Sequence, residues 1–137
     1  MSKTYIPNAL RRAIKARAGG RCEYCLVHEN DVLLPHESDH VIAEQHGGET
    51  TFENLAWACI HCNRHKGPNI ASLDFGTNLI VPLFNPRTDV WDDHFGLEDA
   101  YIRPLTPIGR ATTRLLKLNN PERIRVRQVL IRAGRYP

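Results

Sequence analysis

At 137 residues the chain offers material for one domain with at most a small appendage. A hydrophobic share of 42% and a charged share of 24% are ordinary for a globular chain and argue against disorder as the default, and no apolar run reaches the roughly 18 residues that a membrane span needs. The net charge of +3 conceals a segregation: residues 1–21 hold six basic side chains and no acid, residues 22–102 hold three against fourteen acids, and residues 103–137 hold nine against Glu122 alone.

In chain order, residues 7–18 read as a helix. Pro7 suits its first position, Ala9, Leu10, Ala13, Ile14 and Ala16 supply its apolar stripe, and Gly19–Gly20 stop it. Residues 22–25, CEYC, form a tight knuckle. Residues 36–43, HESDHVIA, alternate well enough for a short strand, and Gly47–Gly48 mark a turn. Thr51 to Leu55 opens a second ordered segment that leads through Trp57 into a second knuckle, CIHC, and then a short helix ended by Gly67–Pro68. Beyond a boundary placed near residue 68 the texture changes. Leu79–Phe84 and Ala100–Leu105 are strand-like, and Asp92-Asp93-His94 reads as a solvated turn. Thr106 caps a helix with Pro107 at its first position, running through about Leu118, and Asn120–Pro121 repeat that signal for a last helix through about Ala133. In those two helices Ile108, Leu115, Leu116, Ile124, Val126, Val129, Leu130 and Ile131 are expected to pack on the core. Arg110, Arg114, Lys117 and the later arginines, among them Arg123, Arg127 and Arg135, are expected to face outward. Two basic arms around an acidic centre suit a chain that grips a polyanion at its edges and keeps cations in its middle; solvated helix faces would give the same pattern.

All four cysteines fall into two CxxC pairs, Cys22/Cys25 and Cys59/Cys62. The N-terminus has basic residues but no apolar stretch of a secretory signal, so a reducing, cytoplasmic setting is expected, where disulfides rarely persist. Four thiolates on two knuckles suit a tetrahedral structural Zn²⁺, and the long stretch between the pairs must itself be folded. Redox use is the rival reading, but neither pair sits at a strand-to-helix junction of a thioredoxin-like pattern.

Between and after the knuckles stand Asp39-His40, Asn54-Leu55 and Cys62-Asn63 with Lys66. In this order and spacing the stretch from GGRCEYC through SDHVIAEQHGGETTFENLAWACIHCNRHKG resembles the HNH endonuclease family, over roughly residues 19–67. The resemblance implies an α+β chain with a ββα-metal core stapled by the four-cysteine zinc site, an N-terminal helix before it and a strand and two-helix extension after it. The units would be residues 1–68, helix plus nuclease core, and a basic extension over 69–137 packed on that core; the extension is itself similar to the tail of stand-alone bacterial members.

Carried over residue by residue, His40 is the general base and Asp39 a ligand of a catalytic divalent ion. Asn63 is the second ligand, where many relatives have His, and Asn54 fixes the loop that orients His40. With oxygen donors at 39 and 63, the expected catalytic ion is Mg²⁺ or Mn²⁺. Lys66 and Arg64, with Arg110, Arg114 and Lys117 of the extension, are expected to contact phosphates. Taken singly, Asp39-His40 would be a surface strand end, Asn54 a turn residue and Asn63 a helix cap; the joint pattern argues against coincidence. His61 and His65, four apart, are expected to pack near the zinc and face phosphate rather than bind metal. The expected partner is DNA, with RNA open to the same chemistry; a homodimer is one way to cut both strands. The reading from another class is a non-catalytic zinc module that binds nucleic acid, which would predict a broken base or metal position.

Overall fold

A computed structural model describes residues 4–137. Helix α1 spans Asn8–Ala18, with Pro7 just outside it in extended conformation, so the proline caps the helix instead of opening it. Gly19 and Gly20 both take positive φ and end the helix, as a left-handed cap requires. The first knuckle and a 3₁₀ turn at Glu29–Asp31 lead to strand β1, Glu37–His40. Two more 3₁₀ turns, Glu44–His46 and Phe52–Asn54, shape the connection to strand β2, Leu55–Ala58, and helix α2, Ile60–Lys66, follows directly.

β1 and β2 form an antiparallel hairpin with Glu37 opposite Ala58, Asp39 opposite Ala56 and His40 opposite Leu55. Every residue of β2 is buried because both of its faces are covered. Leu55 and Trp57 face α1 in a small cluster with Ile6 and Ile14, while Ala56 and Ala58 face the main core.

The extension contributes two further hairpins, β3 (Ala71–Asp74) with β4 (Leu79–Pro82), and β5 (Phe95–Glu98) with β6 (Tyr101–Pro104). Sequence alone suggested one strand of each; β3 and β5 are their partners. The Asp92-Asp93-His94 segment is not a free turn but most of α3, Trp91–His94, with His94 Nδ1 2.6 Å from Thr106 Oγ1. Helix α4, Pro107–Leu115, is capped by Thr106, whose hydroxyl accepts the Gly109 N–H. Helix α5, Pro121–Arg132, is capped by Asn120.

The main core draws on both sides of residue 68. Cys22, Tyr24, Val41 and Ala56 belong to one cluster with Phe84, Phe95, Ile102, Leu116, Leu130 and Tyr136. Polar ties cross the same seam: Trp91 Nε1 donates to the Tyr24 carbonyl at 2.9 Å, and Tyr136 donates its hydroxyl to the Cys25 carbonyl at 2.7 Å.

The sidedness of α5 departs from expectation. Val126, Val129 and Ile131 are exposed, while Arg127 is buried, its guanidinium donating to the carbonyls of Ala100 (2.7 Å) and Leu118 (2.8 Å). Arg123 also turns inward, and Arg135 pairs with Asp31. Arg127 and Arg123 spend their guanidinium groups on buried carbonyls and sulfur, and Arg135, half-exposed, pairs with Asp31.

Candidate active site and metal centre

The two knuckles bring Cys22, Cys25, Cys59 and Cys62 together, all buried, with their sulfurs within 4.8 Å of one another. The Cys25 and Cys59 sulfurs are 3.7 Å apart, close to the edge of about 3.8 Å that a tetrahedron with bonds of ~2.3 Å requires. Backbone N–H groups of Tyr24 and Cys25 donate to Cys22 Sγ at 3.4 Å, and that of Cys62 donates to Cys59 Sγ at the same distance. Such bonds favour thiolate. Arg123 Nη2 adds a cationic donor 3.0 Å from Cys62 Sγ and 3.7 Å from Cys59 Sγ. Burial pushes the Cys22 and Cys62 thiols up, whereas hydrogen bonding to Cys22 pulls Cys25 and Cys59 down. A closed set of four buried sulfurs with no oxygen ligand fits structural zinc.

Side chains alternate along β1, so Glu37 and Asp39 share the face that meets α2. Asn63, on α2, donates its Nδ2 to Glu37 Oε2 at 2.5 Å. Lys66, one turn farther on, lies 3.3 Å from Asp39 Oδ2 and donates to the His40 carbonyl at 3.0 Å. Tyr24 from the first knuckle donates its hydroxyl to Asp39 Oδ2 at 3.1 Å. Burial raises the Asp39 carboxyl above its ordinary range, opposed by the Lys66 ammonium and the Tyr24 hydroxyl.

His40 ends the strand with Nε2 2.9 Å from Thr50 Oγ1 and 3.7 Å from Glu44 Oε1. Asn54 clasps the loop that carries both partners. Its Oδ1 accepts the Ile42 N–H at 3.0 Å, and its Nδ2 donates to the carbonyls of Ile42 (2.9 Å) and Glu49 (2.8 Å). Gly48 makes this closure possible, since a Cβ there would stand 1.7 Å from the Ile42 carbonyl oxygen.

Lys66, expected at a phosphate, is only 1% exposed and its ammonium serves Asp39 and the His40 backbone. Arg64 is exposed on α2. His65 is held below its ordinary value by burial and then by nearby cations, Lys117 and Arg123 foremost. In the extension Arg110 makes a bidentate pair with Asp74, both bonds 2.9 Å, which holds that carboxyl well below the usual range. Arg114 donates to Ser72 Oγ at 3.0 Å and the Leu73 carbonyl at 2.6 Å, and Lys117 is exposed. His36 is not at the site; it is buried against Trp57 with Nε2 2.9 Å from the Val27 carbonyl.

Glu37, Thr50 and Tyr24 were not singled out from the sequence. Glu37 could have been, because it stands two residues before Asp39 in a strand; the other two are joined to the site only by folding.

An antiparallel hairpin followed at once by a helix, with acid, imidazole and amide at their junction and a cysteine tetrad alongside, defines a zinc-stapled ββα-metal arrangement. Residues 22–69, about a third of the chain, match the family model described as HNH endonuclease. The match spans both knuckles, both strands of the first hairpin and α2. No curated protein and no solved structure matches the chain. Among the described residues no helix is long and apolar enough to cross a membrane.

Proposed function

We propose that the chain is a metal-dependent endonuclease that hydrolyses phosphodiester bonds in DNA, with His40 as general base. The observation that supports this best is the junction of β1 and α2. Asp39 and Glu37 share one strand face, Asn63 is fastened to Glu37, and His40 ends the same strand.

Asp39 and Asn63 are the residues to hold a catalytic divalent ion. Their oxygens fit a hard cation such as Mg²⁺ or Mn²⁺, and with its Nδ2 given to Glu37, Asn63 keeps its Oδ1 for the ion. Bound there, the ion supplies charge neutralisation for the scissile phosphate and the leaving 3′ oxygen. His40 Nε2 is engaged by Thr50 Oγ1 at 2.9 Å; in the tautomer that carries its proton on Nε2, the other ring nitrogen takes the proton of the attacking water. Glu44 Oε1 stands 3.7 Å from His40 Nε2. Asn54 holds the loop bearing Thr50 and Glu44, and Lys66 positions Asp39 and the His40 backbone. Arg64, Arg114 and Lys117 meet phosphates outside the centre. Products carry 5′-phosphate and 3′-hydroxyl ends. One site makes one nick; a second copy or a second visit cuts the other strand. The cysteine tetrad holds zinc, which suits the reducing cytoplasm.

The test is conversion of supercoiled plasmid to open circles by the zinc-loaded protein with Mg²⁺ or Mn²⁺. His40→Ala is expected to slow it by about 10²- to 10⁴-fold, the usual worth of a general base, and EDTA to stop it. A folded, zinc-bound wild type that nicks no DNA sinks the proposal; cleavage of RNA alone would move the substrate, and binding without cleavage would leave a non-catalytic module.

A further inference from the structure

We propose that the cleft between the β3–β4 turn and α4 seats one unpaired nucleotide of a nucleic-acid strand, its base against Tyr101 and Phe75 and its phosphate on Arg114 and Lys117. This rests on the nucleic-acid reading above and adds to it a second site, outside the HNH segment.

The cleft is an open, shallow groove of about 450 Å³, within the range of sites that take small ligands. Two aromatic side chains line it without being drawn into the core: Phe75 is 69% and Tyr101 42% exposed. The Arg114 guanidinium lies 4.2 Å from the Phe75 ring centroid and is steadied by Ser72 and the Leu73 carbonyl, both neutral acceptors. Its charge is therefore uncompensated, and among the described residues no salt bridge engages Arg114 or Lys117. The one acid of the cleft, Asp74, is consumed by Arg110, which closes against the turn because residue 76 is glycine; a Cβ there would come 2.7 Å from Arg110 Nε. The cleft is thus cationic and aromatic, with its only carboxylate already paired.

Lys117 adds a further indication. It holds φ of +52° after α4, a left-handed position where glycine is easier. Lys117 lines the cleft and is also near enough to His65 of α2 for its charge to act on that ring. A strand lying across the HNH centre would have a basic path toward the cleft. Bases inside a duplex are stacked on one another, so an aromatic platform favours unpaired nucleotides.

The experiment is fluorescence anisotropy with labelled hexathymidylate and with a short duplex, on the zinc-loaded protein without Mg²⁺ or Mn²⁺. The wild type is expected to bind the single strand more tightly. Tyr101→Ala should weaken that binding about tenfold, in line with the loss of one stacked base, while Tyr101→Phe keeps it. Lys117→Gln should lower the slope of log affinity against log salt by about 0.7, as for one lost phosphate contact on a single strand. Unchanged single-strand binding in Tyr101→Ala and an unchanged salt slope in Lys117→Gln would overturn the site, as would a duplex preference. If Tyr101→Ala loses zinc or melts early, Tyr101→Phe and Lys117→Gln decide the matter. Plasmid nicking by the wild type, run in parallel, separates the two claims: nicking without these effects sinks the cleft alone, and these effects without nicking sink the nuclease reading alone.

Discussion

Asn63 can turn its amide two ways, and only one of them offers oxygen to a cation. The choice rests with Glu37, whose carboxylate accepts the Asn63 N–H and thereby fixes which end faces outward. Glu37→Ala frees the amide to rotate, and DNA nicking is expected to fall about 10- to 100-fold, the usual cost of losing a group that orients a metal ligand. Titration with Mn²⁺ checks the cause. The ion concentration for half-maximal rate should rise in Glu37→Ala, and a loss of rate with unchanged Mn²⁺ dependence would assign Glu37 another role. Lys66 acts similarly on Asp39, a carboxylate that burial alone would push toward its neutral form. Lys66→Met, of similar length but uncharged, removes the ammonium that opposes the effect of burial on Asp39. Its pH–rate profile is expected to lose activity at a higher pH on the acid side than the wild type does; coincident profiles would show that Lys66 does not set the state of Asp39.

The element that presents the imidazole is the connection between β1 and β2, and a few atoms keep it closed. Asn54 binds Ile42 twice and Glu49 once, and Gly48 lets the chain pass against the Ile42 carbonyl. Gly48→Ala forces backbone against backbone, so the loop must open and carry Thr50 away from His40. Activity should drop at least tenfold while zinc stays bound, because the knuckles lie outside the loop; wild-type nicking in this variant would refute the clasp.

Legibility in the sequence follows from distance along the chain. The knuckles, Asp39-His40 and the Asn63 turn of α2 are local patterns, and α4 and α5 announce themselves through Thr106-Pro107 and Asn120-Pro121. Thr50 and Tyr24 reach the site from 10 and 15 residues away, with no local mark. β3 (ASLD) and β5 (FGLE) hold only one or two large apolar residues each, whereas their partners lie in apolar runs such as Leu79–Phe84. The facing of α5 was unreadable for a different reason. Ile124-Arg-Val-Arg127 alternates apolar and charged residues, so opposite types fall on every side of a helix. Only the buried carbonyls of Ala100 and Leu118 decide that Arg127 goes in.

At the scale of the molecule the cysteine tetrad and the extension are one structure. A zinc ion with four thiolates carries two net negative charges, and burying them without a counter-charge would be costly. Arg123 answers that need from α5, reaching Cys62 and Cys59 while its other contacts hold the carbonyls of Leu116 and Lys117. Tyr136, at the far end of the chain, closes on the Cys25 carbonyl. Zinc bound at the knuckles would therefore stabilise the extension, and the extension the zinc. Removing the metal with a strong chelator should unfold both halves in a single transition, seen as simultaneous loss of the fluorescence of Trp57 and Trp91, which lie on opposite sides of residue 68. Arg123→Ala should lower stability by about 2 kcal/mol, the usual loss for a hydrogen bond to a charged group, and should speed zinc transfer to a chromophoric chelator. Arg123→Lys, which restores the charge but not the fork, should fall between. If Arg123→Ala kept wild-type zinc exchange and melted only the extension, the guanidinium would be a helix anchor and the two halves would be separable.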